Sequence, residues 1–368
     1  MNTCKHRIED IVREFRIYGD FIEAVPFGTG HINDTYRAKF NQGGVKLYYT
    51  IQRINHNVFK NPPQVMENIE RVSNHLMKKY SASGNGSRRT LQVVKTWDNK
   101  AYFKDDDGNF WRAYIFVSGA RTFDVLENSN QAYQAARAFG NFQKELVDIP
   151  GGRLNETIVD FHNTPKRLAA LEEAIAQDVC GRVKDVQAEI KFILDRKADA
   201  SKLVDLLAAG KIPERITHND TKLNNVLIDD ETGEGICVID LDTIMPGLAH
   251  YDFGDMVRTG TSPSAEDEKD LSKVYMQFEM FEALLRGYME TAGDVLNPLE
   301  IELLPFAGKL ITMEIGIRFL TDYLQGDVYF KVHREGHNLD RCRTQLKLVA
   351  SIEEQMEEMV KLLHSLRK

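Results

Sequence analysis

Residues 216–243 read ITHNDTKLNNVLIDDETGEGICVIDLDT, and this stretch decides the fold. Two short apolar runs, 226–228 and 236–239, flank a polar segment that contains a glycine. An apolar run, a polar turn and a second apolar run predict a β-hairpin. Asn225 and Asp240 are equidistant from the middle of the turn. Because such residues face each other in an antiparallel pair, both side chains are expected at one end of the hairpin.

Asp220 lies on the loop that leads into the same end of the hairpin, so three polar side chains are expected close together. Phosphoryl transfer needs Mg²⁺ held against the nucleotide phosphates and an acceptor hydroxyl in line with them. Asn225 and Asp240 offer the oxygen ligands that Mg²⁺ prefers, and Asp220 can accept the hydroxyl proton. The H-x-D-x-x-x-x-N spacing, followed by an Asp after the next strand, is typical of protein kinases. If Asp220 only capped a turn and Asp240 only ended a strand, the spacing and the hairpin symmetry would both be accidental.

The composition is that of a globular chain with two lobes. At 368 residues the chain is long for one domain, and it is 42% hydrophobic and 28% charged. The net charge of −8 argues against a nucleic-acid or anionic-membrane partner. No apolar window is long enough for a transmembrane helix, and the N-terminus lacks the apolar core of a signal peptide. The four cysteines are scattered, which favours reduced thiols and a cytoplasmic location.

The first third of the chain predicts strands around a glycine-containing loop. Gly28 and Gly30 lie between β-like flanks, where glycines let backbone N–H groups approach phosphate oxygens. The strand predicted at 45–54 places Gln52 where protein kinases carry a phosphate-pairing lysine. A glutamine cannot supply that charge. The helix predicted at 63–79 carries Glu67 and Glu70, which are expected to be solvated carboxylates.

These patterns predict an α+β, two-lobed protein-kinase-like fold. Residues 1–116 form a small β-rich, nucleotide-covering lobe, and residues 117–368 form a larger, mainly helical lobe for catalysis and acceptor binding. Further strands are expected at 91–96, 101–103 and 110–117, and helices at 132–146, 168–181, 184–207, 265–291 and 352–366. An apolar helical stripe is formed by Leu310, Met313, Ile317, Leu320 and Leu324.

Four residues outside the central stretch have roles that the sequence leaves open. His162 has no visible partner and is interpreted as structural. Asp252 and Asp255 either orient the catalytic loop or cap the helix that follows, and capping is favoured for Asp255. Arg318 follows Glu314 by four residues, so it forms either a surface ion pair or a basic contact in the acceptor pocket.

Several motifs resemble those of the aminoglycoside phosphotransferase and choline kinase superfamily, and within it those of the N-acetylhexosamine 1-kinases. The similarity extends over nearly the whole chain. THNDTKLNN and IDLDTIMPG are the most specific matches, because the wider superfamily has a glycine between the His and the Asp. The matching motifs are GHINDTY (30–36), MENIE (66–70), ITHNDTKLNNVL (216–227), VIDLDTIMPG (238–247), DFGD (252–255) and LTDYLQGDVYF (320–330).

The resemblance implies transfer of the ATP γ-phosphoryl group to the anomeric hydroxyl of N-acetylglucosamine or N-acetylgalactosamine. It implies Asp220 as the base, and Asn225 and Asp240 as Mg²⁺ ligands. The partners are then ATP and a small sugar, and a monomer is expected. Gln52 implies that Mg²⁺ and backbone N–H groups hold the phosphates. Sugar contacts are expected from His31, Thr243 and Arg318, and nucleotide contacts from Gly28, Gly30, Gln52, Ile115 and Val117.

Two other functions are compatible with the same motifs. A kinase of this superfamily could take another hydroxyl acceptor, such as homoserine, choline or an aminoglycoside. Choline calls for an aromatic cage, and a polycationic drug for a strongly acidic cleft. The second alternative is a non-catalytic nucleotide-binding protein, suggested by the missing lysine. The joint presence of Asp220, Asn225 and Asp240 argues against it.

Overall fold

A computed structural model of the chain describes residues 6–28, 32–82, 88–123 and 125–367. By packing, the chain divides into two compact units. The first comprises Met1–Arg121, Asp148–Val159 and Leu227–Met245, and the second comprises Thr122–Val147, Asp160–Val226 and Pro246–Lys368. The sequence predicted a single boundary after residue 116. The division by packing differs because two later segments, one of them the predicted hairpin, pack with the first unit.

The first unit is built on an antiparallel sheet of six strands in the order β1-β2-β3-β6-β4, with β5 also pairing with β6. Its strands β2 and β3 are joined by Gly43 and Gly44, which both have positive φ, as a two-residue hairpin turn requires. The register places Gln52 opposite Thr35 on one side and opposite Arg112 on the other. The strands are β1 Asp20–Pro26, β2 Asp34–Gln42, β3 Val45–Ile54, β4 Val93–Val94, β5 Phe103–Lys104 and β6 Phe110–Ile115.

Two helices and a smaller sheet complete the first unit. Helix α1 (Ile8–Val12) buries its apolar side chains in a cluster with Phe15 and with Ile51 and Trp111 of the large sheet. The helix predicted at 63–79 is α2 (Pro62–Ala82). The predicted hairpin is confirmed, because β9 (Val226–Asp229) and β10 (Gly235–Val238) are neighbours in a three-stranded sheet whose third strand is β7 (Ala120–Arg121).

The second unit is mainly helical. Its centre is α10, on which the predicted apolar stripe is fully buried. Close approach between helices is set by glycines: a Cβ added to Gly287 of α8 would lie 2.2 Å from the carbonyl oxygen of Tyr133 in α3. The elements are α3 Ser129–Glu145, α4 Thr164–Gln177, α5 Gln187–Leu194, α6 Lys202–Ala208, β8 Arg215–Thr217, β11 Met245–Gly247, α7 Ala249–Gly260, α8 Phe278–Ala292, α9 Pro298–Glu302, α10 Leu304–Leu324 and α11 His337–Leu366.

Three predicted helices differ from the structure by more than a turn or in continuity. The segment 184–207 is broken into α5, α6 and short 3₁₀ turns. The helix predicted from 265 begins only at Phe278, because Asp270 caps a separate 3₁₀ turn, Leu271–Lys273, before it. The last helix begins at His337 rather than at 352, since Cys342, Leu346 and Val349 extend its buried face along α10.

The fold class is confirmed as α+β, with an antiparallel sheet in the first unit and helices in the second. Within the described ranges, no helix combines the length and apolar character needed to cross a membrane.

Candidate active site

The loop that carries Asp220 is held in place by a buried carboxylate. Both side-chain oxygens of Asp252 accept backbone N–H groups, from His218 at 3.0 Å and from Asn219 at 2.7 Å. Asn219 has a φ of 65°, in the left-handed region that asparagine tolerates. Burial raises the pKa of Asp252 to about 6, so the carboxylate is ionised at neutral pH. Of the two roles predicted for Asp252, the structure therefore favours orienting the catalytic loop.

Asp255 does not cap a helix, and the interpretation favoured from the sequence is wrong. Helix α7 already begins at Ala249, so Asp255 lies in its interior. There the carboxylate accepts from the guanidinium of Arg258 at 2.8 Å, with side chains that are 4% and 6% exposed. Arg258 also contacts Glu266 at 3.0 Å. Asp255 is therefore paired with a buried guanidinium in the interior of α7.

The carboxylate of Asp220 is partly exposed. Its side chain is 28% exposed, and one oxygen lies 3.3 Å from the ammonium group of Lys222. Burial acts to raise the pKa of Asp220, but the charges of Lys222, His218 and Arg258 outweigh it and lower the pKa below its ordinary value. The carboxylate is thus a proton acceptor at neutral pH.

The two predicted metal ligands differ in their backbone setting. Asn225 uses its amide nitrogen to donate to the carbonyl oxygen of Asp220 at 2.8 Å, which leaves the amide oxygen as the ligand atom. Asp240 has a φ of 57° and directly precedes a 3₁₀ turn, Leu241–Thr243. Carboxylate and amide oxygens are both ligands that Mg²⁺ accepts, so the chemistry of each residue is compatible with its predicted role. Across the described residues, no group of three or more His, Cys, Asp and Glu forms a metal site by itself.

Gln52 is engaged within the sheet. Its side-chain oxygen accepts from the guanidinium of Arg112 at 2.9 Å, and its nitrogen donates to the hydroxyl of Thr35 at 3.0 Å. Arg112 in turn forms a buried ion pair with Asp242. This pair could not be predicted from local sequence patterns, because its members are 130 positions apart.

Helix α2 contributes an amide to this region. The predicted solvated carboxylates, Glu67 and Glu70, have partners in Asn155 and Lys95. Asn68, which lies between these two glutamates in the sequence, is fully buried. Its amide donates to the carbonyl oxygen of Ile244 at 2.9 Å. Asn68 was present in the MENIE motif, but its role depends on a contact that the sequence does not show.

Other predicted nucleotide contacts lie at the loop and at the end of β6. Gly28 has a φ of 83°, which a residue with a side chain rarely adopts. Gly30 and His31 lie outside the described residues. The side chain of Ile115 is exposed, and its backbone N–H donates to the carbonyl oxygen of Gln92. Val117 is half-buried. The adenine contact at Ile115 and Val117 stays a prediction.

A cluster of rings surrounds Arg318 in the second unit. Its guanidinium carbon lies 5.5 Å from the ring centre of Phe161, 5.8 Å from that of Tyr329 and 5.4 Å from that of Phe330. The interpretation of Arg318 as a surface pair with Glu314 is wrong, because Glu314 is fully buried. Tyr329 was missed from the sequence, although it lies in one of the quoted motifs. Thr243, the third sugar contact predicted, is buried in the first unit.

His162 connects this cluster to the catalytic loop. Its Nδ1 lies 2.8 Å from the carboxylate of Glu314, and its Nε2 lies 3.1 Å from the carbonyl oxygen of Asn219. Both partners are acceptors, so both ring nitrogens must carry protons and the ring is an imidazolium. Burial acts to lower the pKa of His162, but Glu314 and the carbonyl outweigh it and raise the pKa. His162 therefore positions the residue before Asp220, a role that its isolated sequence context concealed.

A family model described as the phosphotransferase enzyme family (APH) matches residues 23–279. Solved structures with the same fold include an aminoglycoside phosphotransferase from Alicyclobacillus acidocaldarius, with a TM-score of 0.62 and 12% identity over 97% of this chain and 98% of that one. A spectinomycin phosphotransferase in complex with ADP and spectinomycin has a TM-score of 0.61 and 13% identity over 97% and 100% of the two chains. A choline kinase from Cryptosporidium parvum has a TM-score of 0.59 and 14% identity over 97% and 98%.

Proposed function

The chain belongs to the phosphotransferase enzyme family, and on this premise we propose that it phosphorylates the anomeric hydroxyl of N-acetylglucosamine or N-acetylgalactosamine, with ATP as donor. The product is the sugar 1-phosphate. The observation that carries the proposal is the catalytic loop, in which Asp220 has a lowered pKa and a backbone fixed by Asp252 and His162. A positioned carboxylate next to an acceptor hydroxyl is the main requirement that phosphoryl transfer places on the protein.

The low basicity of Asp220 suits an anomeric acceptor. A carboxylate with a lowered pKa is a weak general base. An anomeric hydroxyl is more acidic than an ordinary alcohol, so weak assistance is sufficient and orientation contributes more. Asp220 then accepts the proton as the new oxygen–phosphorus bond forms.

Asn225 and Asp240 would hold Mg²⁺ through their side-chain oxygens. When bound, the metal ion neutralises charge on the nucleotide phosphates. The hydrogen bond from the amide nitrogen of Asn225 to the Asp220 carbonyl supports this assignment, because it links the ligand to the base.

The charges around Arg318 favour a neutral acceptor. The faces of Phe161, Tyr329 and Phe330 are already next to a guanidinium, so they are poorly placed to cage the quaternary ammonium of choline. Arg167 adds a second cation, and repulsion from Arg318 contributes to lowering its pKa after the larger effect of burial. A polycationic aminoglycoside would be repelled here. Rings and a guanidinium suit the apolar face, hydroxyls and acetamido carbonyl of an N-acetylhexosamine.

An acceptor panel tests this proposal. ADP release should be measured with Mg²⁺-ATP and N-acetylglucosamine, N-acetylgalactosamine, choline, homoserine or spectinomycin, and with the methyl glycoside of N-acetylglucosamine. We expect turnover with the two free sugars and none with the methyl glycoside, because its anomeric oxygen is blocked. If turnover were faster with choline, homoserine or spectinomycin than with the free sugars, that compound would be assigned as the acceptor instead. Nucleotide binding without turnover on the whole panel would favour a non-catalytic protein.

A further inference from the structure

The large sheet of the first unit contains a buried guanidinium beside the position where a lysine was expected. Arg112 of β6 is 1% exposed and lies opposite Gln52 in the β3–β6 register. Its Nε donates to the side-chain oxygen of Gln52 at 2.9 Å. A lysine at position 52 would place a second cation against this guanidinium. Glutamine offers an acceptor instead, so the residue at position 52 is matched to the buried guanidinium of Arg112.

The partner of Arg112 is the second carboxylate of the IDLD motif. Nη1 of Arg112 pairs with one oxygen of Asp242, and the two side chains are 1% and 3% exposed. The other oxygen of Asp242 accepts from the amide of Asn33 at 2.6 Å. Both oxygens of Asp242 therefore have protein partners, and the proposed metal ligand of this motif is Asp240.

The backbone around Asp242 is held at further points. The hydroxyl of Thr157 donates to the carbonyl oxygen of Asp242 at 3.0 Å. The amide of Asn68 donates to the carbonyl oxygen of Ile244 at 2.9 Å. With Asp240 in the left-handed region directly before the 3₁₀ turn, these contacts fix the direction in which the chain leaves Asp240.

We propose that Arg112 and Asp242 are positioning residues for the phosphoryl donor. Their buried ion pair holds segment 240–244 on the sheet, so that Asp240 is presented to Mg²⁺ in one orientation. Arg112 is too deeply buried to contact phosphates, and it acts through Asp242. Asn33, directly before β2, donates to the same carboxylate, so the start of β2 and segment 240–244 are held together. The proposal rests on the proposed function for its Mg²⁺-nucleotide ligand, but not for the acceptor.

Binding of ATP measured by calorimetry with and without Mg²⁺ tests this role. The variants are Arg112→Met, Asp242→Asn and the double variant, in which neither charge is left unpaired. We expect metal-free ATP to bind each variant within about twofold of the wild-type affinity, because no phosphate contact is lost. The gain in affinity on adding Mg²⁺ should fall about 10- to 100-fold, as is typical when a residue that supports a metal ligand is changed.

Thermal unfolding separates this role from a purely structural one. Arg112→Met leaves a buried carboxylate unpaired and is expected to lower the unfolding temperature, whereas the double variant recovers it. Arg121→Met is the matched control, since Arg121 lies in the same unit and pairs with Asp230 at 2.6 Å but is 66% exposed. It should leave the unfolding temperature and both affinities unchanged.

Two results would overturn the inference. One is a double variant that is as stable as the wild type and shows the full gain in ATP affinity on adding Mg²⁺. The other is a loss of metal-free ATP affinity in the double variant as large as the loss of Mg²⁺-ATP affinity, because that would show that the pair does not act through the metal. The experiment measures nucleotide binding, so its outcome does not depend on whether the acceptor is a sugar.

Discussion

The proposed chemistry depends on the side-chain carboxylate of Asp220. Asp220→Asn keeps the size and most hydrogen bonds of the side chain but cannot accept a proton. We expect turnover to fall by about 10²- to 10⁴-fold, with an unchanged circular dichroism spectrum and unfolding temperature. Initial rates at saturating ATP and acceptor measure the effect. Turnover within a few-fold of wild type would remove Asp220 from the role of base.

Arg318 is expected to contribute to acceptor binding rather than to the chemical step. Arg318→Lys retains the charge but loses the planar guanidinium that lies against Phe161 and Phe330. We predict that KM for the sugar rises about tenfold or more, as expected when a hydrogen bond to a charged group is lost, while KM for ATP stays constant.

The matched control for Arg318 is Arg286→Lys, since Arg286 lies in the same unit and pairs with Glu282 on the surface. Its kinetic constants should not change. If Arg318→Lys altered KM for ATP and not for the sugar, Arg318 would have no role in the acceptor pocket.

His162 makes stability depend on pH in a defined direction. Its pKa is raised in the folded chain, so its contribution is fully present below the unfolded pKa of about 6.5. As pH rises from there through the folded pKa, the proton is lost and the contribution to the free energy of unfolding decreases.

Urea unfolding of the wild type and His162→Gln between pH 6 and 9 measures this dependence. We predict that the difference in unfolding free energy between the two proteins is largest at pH 6 and shrinks toward pH 9. A difference that stays constant over this range would mean that the imidazole is not protonated in the folded chain.

At the scale of elements, the close approach of α3 and α8 depends on glycine. Gly287→Ala would place a methyl group 2.2 Å from the backbone carbonyl oxygen of Tyr133, so a helix must shift. We predict a loss of about 1–3 kcal/mol in unfolding free energy, the usual cost of overpacking. Gly316→Ala in α10 is the control: its nearest neighbour, at 3.1 Å, is the end of the Leu346 side chain.

Because that side chain can move and alanine favours helix over glycine, Gly316→Ala should cost less than Gly287→Ala. Urea denaturation of the two variants makes the comparison. Equal effects would show that the α3–α8 contact tolerates a methyl group as well as α10 does.

Local patterns predicted the elements whose signals are local. The β9–β10 hairpin, strand β3 and the stripe on α10 each follow from spacing within a few residues, and each is confirmed. The start of α11 was missed because its first turns look polar and are buried only by packing on α10.

The motif of the Asp220 loop was found from the sequence, but the side chains that hold this loop and segment 240–244 in place were not. Arg112 and Asp242 are 130 positions apart, and His162 and Glu314 are 152 apart. Such pairs are created by the tertiary fold and leave no periodicity in the sequence.

At the scale of the whole molecule, net charge and local charge have opposite signs. The chain carries a net charge of −8, yet Arg167 and Arg318 lie near one another beside aromatic rings, and Lys222 lies beside the base. The net charge therefore disfavours nucleic acids and anionic membranes as partners. The two arginines disfavour a cationic acceptor. For this reason we propose a sugar rather than a cationic substrate as the acceptor.

The most direct test of the central proposal is phosphorus NMR of the purified protein with Mg²⁺-ATP and N-acetylglucosamine, with Asp220→Asn alongside. We expect a sugar 1-phosphate resonance that grows with the wild type and is absent over the same time with the variant. A sugar 6-phosphate would contradict the proposed orientation of the acceptor. The absence of any sugar phosphate would contradict the proposed function itself.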